Sequence, residues 1–379
     1  MIRRNEETCD VLVTYCWNRV GYNILRSLTS HGLSVYVADV SKKNICSMSK
    51  FCSGSFVYPD PFTHEDEFIS CLLTNIKILK PKVLLPTHDE AIVIAKYIDR
   101  FPSDLIIPIS SYDILTRLSN KVIATKYAHE AGIPIPKVYH TTAEIDTYPV
   151  VFKTAIGNSA KGVFFPQNID EIRTLEQKYH NVETFIQKKI SGIDYSVDCI
   201  RMDGFFKASV YRALVTKTEG GGTTTQRIIV DKSILIDYAK KLLDYVDYYG
   251  VCGLDFKYNE ETGEVAFIEV NTRYTGGLAT PIIAGFDIPY IHYRMATAGV
   301  YDAPISIMIG TKTKWVLGDI ITLVGRLTSL KLTLHELRQV FQFRGFDGFD
   351  DFRSDDKIAF WGEMRYYMNK LLKNRKLNP

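Results

Sequence analysis

The chain has 379 residues, 46% hydrophobic and 23% charged, with a net charge of +3. That is the composition of an ordinary globular protein, with enough material for two or three domains and their cores. A charge so near neutral gives no argument for nucleic acid or membrane as a partner, and no apolar run approaches the roughly 18 residues of a membrane span.

MIRRNEETCD at the start lacks the apolar centre of a signal peptide. Seven cysteines at 9, 16, 46, 52, 71, 199 and 252 form no CxxC pair. They read as reduced, mostly buried thiols of a cytoplasmic protein. VLVTY (11–15) predicts a buried strand, GYNILRSLTSH a helix closed by Gly32, and LSVYVADV (33–40) a second strand. That βαβ opening favours a parallel sheet. TYCWNRVGYN holds one glycine where a dinucleotide-binding turn needs three. KVLLPTHDEA (82–91) runs a third strand into Pro86, with Asp89 and Glu90 beyond its carboxyl end. Open α/β sheets bind ligands there; alternatively the two acids simply open the next helix.

SNKVIATKYAHEAG (119–132) predicts a helix capped by Ser119 or Asn120 and stopped by Gly132. IPIPK then marks a domain boundary. PVVFKTAIGNSAKGVFF (149–165) reads as strand, small-residue loop, strand, followed by a helix near 170–180 and strands at 183–187 and 194–200. Strands begin again at FFKASVYRALV. A GGGTTT run (220–225) and a helix DYAKKLLDYVDYYG (237–250), ended by its glycine, come next. After Gly299 the chain is a mixed region ending in MRYYMNKLLKNRK, read as a solvated helix face rather than a membrane anchor.

GLDFKYNEETGEVAFIEVN (253–271) is two alternating runs around a turn. A three-residue ETG loop with Gly263 at positive φ would pair Glu260 with Glu264, Phe256 with Ile268, and Leu254 with Val270. The same register sets Asp255 opposite Glu269 on the other face. Two opposed carboxylates repel, and a proton or a cation between them would offset that. Asn271 adds a neutral oxygen. Oxygen ligands alone suit Mg²⁺ or Mn²⁺; the alternative is a surface hairpin in which Lys257 neutralises one acid. In PVVFKT, Lys153 sits in a β-branched run and needs an anionic partner or a route to solvent. Gly157 and Gly162 bound a loop whose N–H groups, with Lys161 beside them, suit phosphate. Lys121 at a helix start is electrostatically odd unless an anion binds there.

The ordered set SNK, VVFKTAIGNSAKGV, ETFIQKKISGIDYSVD, GLDF and IEVNTRYTGG resembles the ATP-grasp superfamily from about Ser119 to Gly299. The LPTHDEA region is similar to the domain preceding it in carbamoyl-phosphate-synthetase-like members. The resemblance implies an α/β fold. A parallel-sheet domain over 1–112 would precede a two-lobed ATP-grasp part with antiparallel sheets, small lobe 113–200 and large lobe 201–304. A mixed region of unknown role would fill 305–379. It implies Asp255, Glu269 and Asn271 as ligands of two Mg²⁺ or Mn²⁺ ions. Lys121, Lys153, Lys161 and Gly162 would meet the ATP phosphates; Gln187, Lys188, Lys189 and Ile190 would meet adenine; Asp194 would meet ribose. Arg273 and Lys153 would serve the transferring phosphoryl group. Gln187 departs from the glutamate usual at that place, and the loop has fewer glycines than many members.

The activity implied is an ADP-forming carboxylate–amine ligase working through an acyl-phosphate, with small-molecule acid and amine substrates; a homodimer is one assembly it allows. Two rivals stand beside it. One is a bicarbonate- or carbamate-phosphorylating enzyme like biotin carboxylase or carbamoyl phosphate synthetase. The other is a non-catalytic ATP-binding protein. Arg212 and Arg227, flanking the GGGTTT run, are candidate clamps for a substrate carboxylate or plain surface ion pairs. Gly276 and Gly277 would let backbone approach the substrate, and Asp89 and Glu90 are further substrate candidates.

Overall fold

The computed structural model describes residues 9–157, 162–218, 221–328, 338 and 340–374. The first sheet is parallel, in the order β3-β2-β1-β4. Its elements are β1 (Val11–Thr14), α1 (Arg19–Ser30), β2 (Val35–Asp39), β3 (Gly54–Val57), α2 (Glu65–Leu79), β4 (Val83–Leu85) and α3 (Glu90–Lys96). Asn18 starts α1 by accepting from the N–H groups of Val20 and Gly21, and Gly32 takes the left-handed turn after it at φ +80°. The strand order reverses between β1 and β4. The loops after those two strands therefore form the crevice of the sheet, and His88 and Asp89 stand in it.

Helices α4 (Tyr112–Ser119) and α5 (Lys121–Glu130) lead into the second sheet. Asn120, not Ser119, caps α5, accepting from Val122 and Ile123 N–H. This sheet is antiparallel, ordered β5-β8-β6-β7, from β5 (Val138–Tyr139), β6 (Val150–Thr154), β7 (Val163–Phe164) and β8 (Thr184–Lys188), with α6 (Ile169–Lys178) upon it. Its small core is Tyr139, Val150, Phe152, Ile172 and Ile186. Gly162 is required at its position: φ is +79°, and a Cβ would lie 2.1 Å from Thr154 Oγ1.

The third sheet has seven strands ordered β13-β12-β9-β10-β11-β14-β15. They are β9 (Ile193–Met202), β10 (Phe205–Thr218), β11 (Gly221–Val230), β12 (Gly250–Tyr258), β13 (Val265–Asn271), β14 (Lys312–Lys314) and β15 (Gly348–Phe349). The boundary expected after residue 200 thus falls inside β9, and the region after 305 contributes two strands to this sheet. Helices α7 (Ser233–Tyr245), α8 (Ala279–Ile283), α9 (Ile288–Ala298), α10 (Val316–Thr328) and α11 (Lys357–Asn374) complete the chain. One sheet face carries Val197, Val210, Leu254 and Phe256 and packs on α5 and α7 through Ala124, Ala128, Leu235 and Leu242. A separate core joins Val11, Tyr22 and Leu25 of the parallel-sheet domain to Ile200, Leu278 and Ile291, which fixes that domain against the large sheet.

Two expectations are corrected. The helix predicted over 237–250 runs from Ser233 and stops at Tyr245; Gly250 does not end it but opens β12. Asp247 takes the left-handed conformation at φ +50°, and Tyr248 N–H returns to Leu243 O at 2.9 Å. This turns the Tyr248 ring into the core. The 253–271 hairpin also differs near its turn. Asn259 Oδ1 accepts from Glu261 and Thr262 N–H, and Asn259 N–H pairs with Glu264 O at 2.9 Å. The loop therefore has one more residue than expected, so Phe256 faces Phe267 instead of Ile268. A bulge at Ile268 restores the expected pairs Leu254–Val270 and Asp255–Glu269.

The bulge turns Phe267 into the core, 1% exposed and edge-on to Phe256 with ring centres 5.9 Å apart. Phe267→Ala is expected to cost about 3–5 kcal/mol, and Ile268→Ala, half-exposed, less than about 1.5. Urea denaturation of the two variants measures both, and the reverse order would contradict this register.

Candidate functional site

The polar face of the large sheet begins with the hairpin. Asp255 and Glu269 are directly opposed, and Asn271 follows opposite Gly253. Asp255 accepts from Ser196 Oγ through Oδ1 and from Asn271 Nδ2 through Oδ2 at 3.1 Å. Burial, then the charge of Glu269, push the Asp255 carboxyl up from its usual range. Two lysines answer this pair. Lys121 Nζ lies 3.8 Å from Glu269 Oε2 and donates to the carbonyl of Gly157. Lys153 is 5% exposed and is pushed down to about 8, first by burial and further by Lys121, while Glu269 opposes the fall. Residues from α5, β6 and β13 thus share one electrostatic cluster.

Two carboxylates and an amide oxygen fit a hard divalent cation that completes its shell with water and phosphate. The Asn271 amide presents nitrogen to Asp255 here; turning it over presents oxygen instead. Near the chain between the sheets, Gln187 is buried, and its Oε1 has no donor among the described residues. Lys188 and Lys189 are exposed and Ile190 is half-buried. Asp194 is engaged by Lys257 Nζ at 2.7 Å. Lys161 lies outside the described residues.

Arg273 reaches from beyond β13 to the crevice of the parallel sheet, where its Nε donates to Asp89 Oδ1 at 2.8 Å. His88 Nδ1 is 3.5 Å from the other Asp89 oxygen. Glu90 does not join them. It is buried, accepting from Thr14 Oγ1 and Thr87 N–H, and burial pushes it up to about 7. Arg212 is also away from the cluster. It pairs across the sheet with Tyr195, on the face opposite Asp255, and its guanidinium is 3.5 Å from Glu260. It takes the surface-ion-pair alternative because strand alternation turns it from the polar face. Arg227 shares that polar face, fully buried, and is held by Asp350 at 2.7 Å. The peptide oxygen of Gly276 accepts from Arg19 Nε at 3.1 Å. A Cβ on Gly277 would lie 2.3 Å from Tyr211 Oη, so a glycine is needed there.

Asp198 is a member of this face that the sequence reading passed over. It lies two residues beyond Ser196, opposite Gly253, and accepts from Thr275 Oγ1 at 2.7 Å. Burial pushes it up to about 6. The alternation of Asp194, Ser196 and Asp198 in DYSVDCI was the available signal. Arg19 had none, because only the tertiary fold brings it to Gly276.

Antiparallel sheets thus meet over opposed carboxylates and buried lysines, behind a parallel-sheet domain. Residues 180–316 match the family described as ATP-grasp in the biosynthetic pathway with Ter operon. A carbamoyl-phosphate synthase of Methanobrevibacter smithii is 24% identical over 220 residues, covering 53% of this chain and 58% of that protein. The chain thus spans little more than half of that relative. Two solved structures share the fold. One is the biotin carboxylase domain dimer of the Hydrogenobacter thermophilus 2-oxoglutarate carboxylase, in complex with MgADP, ADP and bicarbonate. Its TM-score is 0.65 at 15% identity, covering 81% of this chain and 74% of that one. The other is the L-amino acid ligase of Bacillus licheniformis, with TM-score 0.61 and 15% identity, covering 76% and 74%.

The charge coupling in the cluster is measurable. Glu269→Gln removes the anion that supports the Lys153 ammonium and is expected to lower its pKa further below about 8. Lys121→Met removes an opposing cation and is expected to raise it. Side-chain ¹⁵N NMR titration of Lys153 reads both; shifts of the same sign would contradict the assignment.

Proposed function

We propose that the protein is an ADP-forming carboxylate–amine ligase. The observation that carries this reading is the opposed pair Asp255 and Glu269 facing the buried lysines Lys121 and Lys153. Such a face suits a triphosphate, whose charge would be matched by fixed cations with little reorganisation. Lys121 and Lys153 would hold phosphate oxygens, Gln187 and the 188–190 backbone would meet adenine, and Asp194 would turn from Lys257 to ribose. Asp255, Glu269 and Asn271 would hold the divalent cation, with two ions expected; when bound, such ions neutralise phosphate charge.

In the reaction, a carboxylate oxygen of the acid attacks the γ-phosphorus, and the bond to the β-bridging oxygen breaks, releasing ADP. Arg273, aimed by Asp89, would stabilise the equatorial oxygens of the transferring group. The amine then attacks the acyl carbon, the carbon–oxygen bond to phosphate breaks, and the amine gives up a proton. The residues between Gly157 and Gly162, outside the described part of the chain, would serve as a flap that excludes water from the acyl-phosphate. One substrate would lie in the crevice holding His88 and Asp89, between the parallel sheet and Arg273.

An ADP-release screen of the purified protein with MgATP, crossing acids with amines, tests this. Release that needs both an acid and an amine, reduced at least ~100-fold by Glu269→Gln, is the expected result. Release driven by bicarbonate without any amine would favour a carbonate-phosphorylating enzyme, and flat release across the panel would leave no ligase.

A further inference from the structure

A second set of side chains lies beyond the glycine turn, where the C-terminal region meets β10 and α1. Trp315 is 1% exposed. Its N–H on the main chain is tied to Thr225 O at 2.7 Å. Gly318 leaves room for the ring, since a Cβ there would stand 2.1 Å from Trp315 Cε3. Two cations lie over this ring, Arg19 with Cζ 3.6 Å from its centre and Lys217 with Nζ 4.4 Å from it. Lys217 Nζ and Trp315 Nε1 are both buried donors, and neither has an acceptor among the described residues. Buried donors are nearly always paired, so two orphans at one ring mark a place where an acceptor belongs.

The surrounding charge has the matching sign. Arg19 and Arg227 share the single carboxylate of Asp350, at 3.3 and 2.7 Å. Asp351 is taken up by the N–H groups of Val316 and Leu317 at the start of α10. Glu363 is fully buried, and burial together with Asp351 pushes its carboxyl up, toward the neutral form. Among the described residues Lys217 forms no ion pair, and Glu363 is the acid whose charge supports its ammonium. The set also adjoins the site described above, because Arg19 Nε donates to Gly276 O, in the turn that follows Arg273 in the chain.

We propose that Lys217 and Trp315 form the subsite for an anionic group, a carboxylate or a phosphate ester, carried by a substrate. The inference rests on the ligase reading for its word "substrate". The indole N–H and the ammonium donate to the anion, and Arg19 places the ring. None of these groups touches the reacting atoms, so the subsite sets which substrate is chosen rather than the chemistry.

Calorimetric titration of the whole protein with benzoate, phenyl phosphate and neutral benzamide tests it. One or both anions should bind about tenfold or more tightly than benzamide, as charge-assisted pairs do. Lys217→Met should remove that preference and Lys217→Arg should keep it. Trp315→Phe, which retains the ring and drops only its N–H, should weaken anions and leave benzamide unchanged. Tighter phenyl phosphate would assign a phosphate ester, tighter benzoate a carboxylate. Equal binding of anions and benzamide, or an anion preference surviving Lys217→Met and Trp315→Phe, would overturn the proposal. MgADP affinity, measured on the same samples, should be unchanged in the variants. A wild-type protein that binds no nucleotide and releases no ADP would sink the ligase reading while leaving the anion-to-benzamide ratio to judge this subsite.

Discussion

Two carboxylates facing each other across a strand pair are the constraint on which the rest of the site depends. Asp255 and Glu269 cannot both remain charged and close without positive charge nearby. Their own hairpin does not supply it, because Lys257 is spent on Asp194. The cations come from the other lobe, Lys121 at the start of α5 and Lys153 inside β6. Each lobe thus buries charge that only the other can balance. The cleft between them therefore carries both signs of charge, lysines on one side and acids on the other.

The same logic of shared charge ties in the parallel-sheet domain. Asp89 holds Arg273 by a charged hydrogen bond across the crevice. Arg19 of α1 reaches both Gly276 and Asp350. Apolar packing of Val11, Tyr22 and Leu25 against Leu278 and Ile291 supplies the bulk attraction that brings these polar contacts into register. Burial is what makes them consequential. In the low dielectric of the interior an arginine or carboxylate without its partner is costly, so the arginines near the turn have few alternative arrangements.

Local pattern was enough for much of this. The alternation of GLDF and IEVN carried the opposition of Asp255 and Glu269, because strand side chains repeat with a period of two. The start of α5 at Ser119 or Asn120, the turn at Gly32 and the loop glycine at 162 were legible for similarly local reasons. Where local chemistry offered two answers, the sequence could not choose. Asn259 bonds its own turn and lengthens the loop by one residue, and the ring of Phe267 then outcompetes Ile268 for the core. Asp247 rather than Gly250 takes the left-handed turn after α7, and Tyr248 is buried beyond it.

By itself, then, the sequence determined strand and helix periods and the opposition of Asp255 to Glu269, because each depends on residues close together in the chain. Only the tertiary structure decided what lies opposite what. It buried Glu90, turned Arg212 to the far face, joined Arg227 to Asp350, and gathered Arg19, Lys217 and Trp315 from positions up to 296 apart. The physical reason is that sheet faces and buried charge pairs are properties of the packed chain. No spacing in the sequence records which side chain will find which counter-charge once water has been removed.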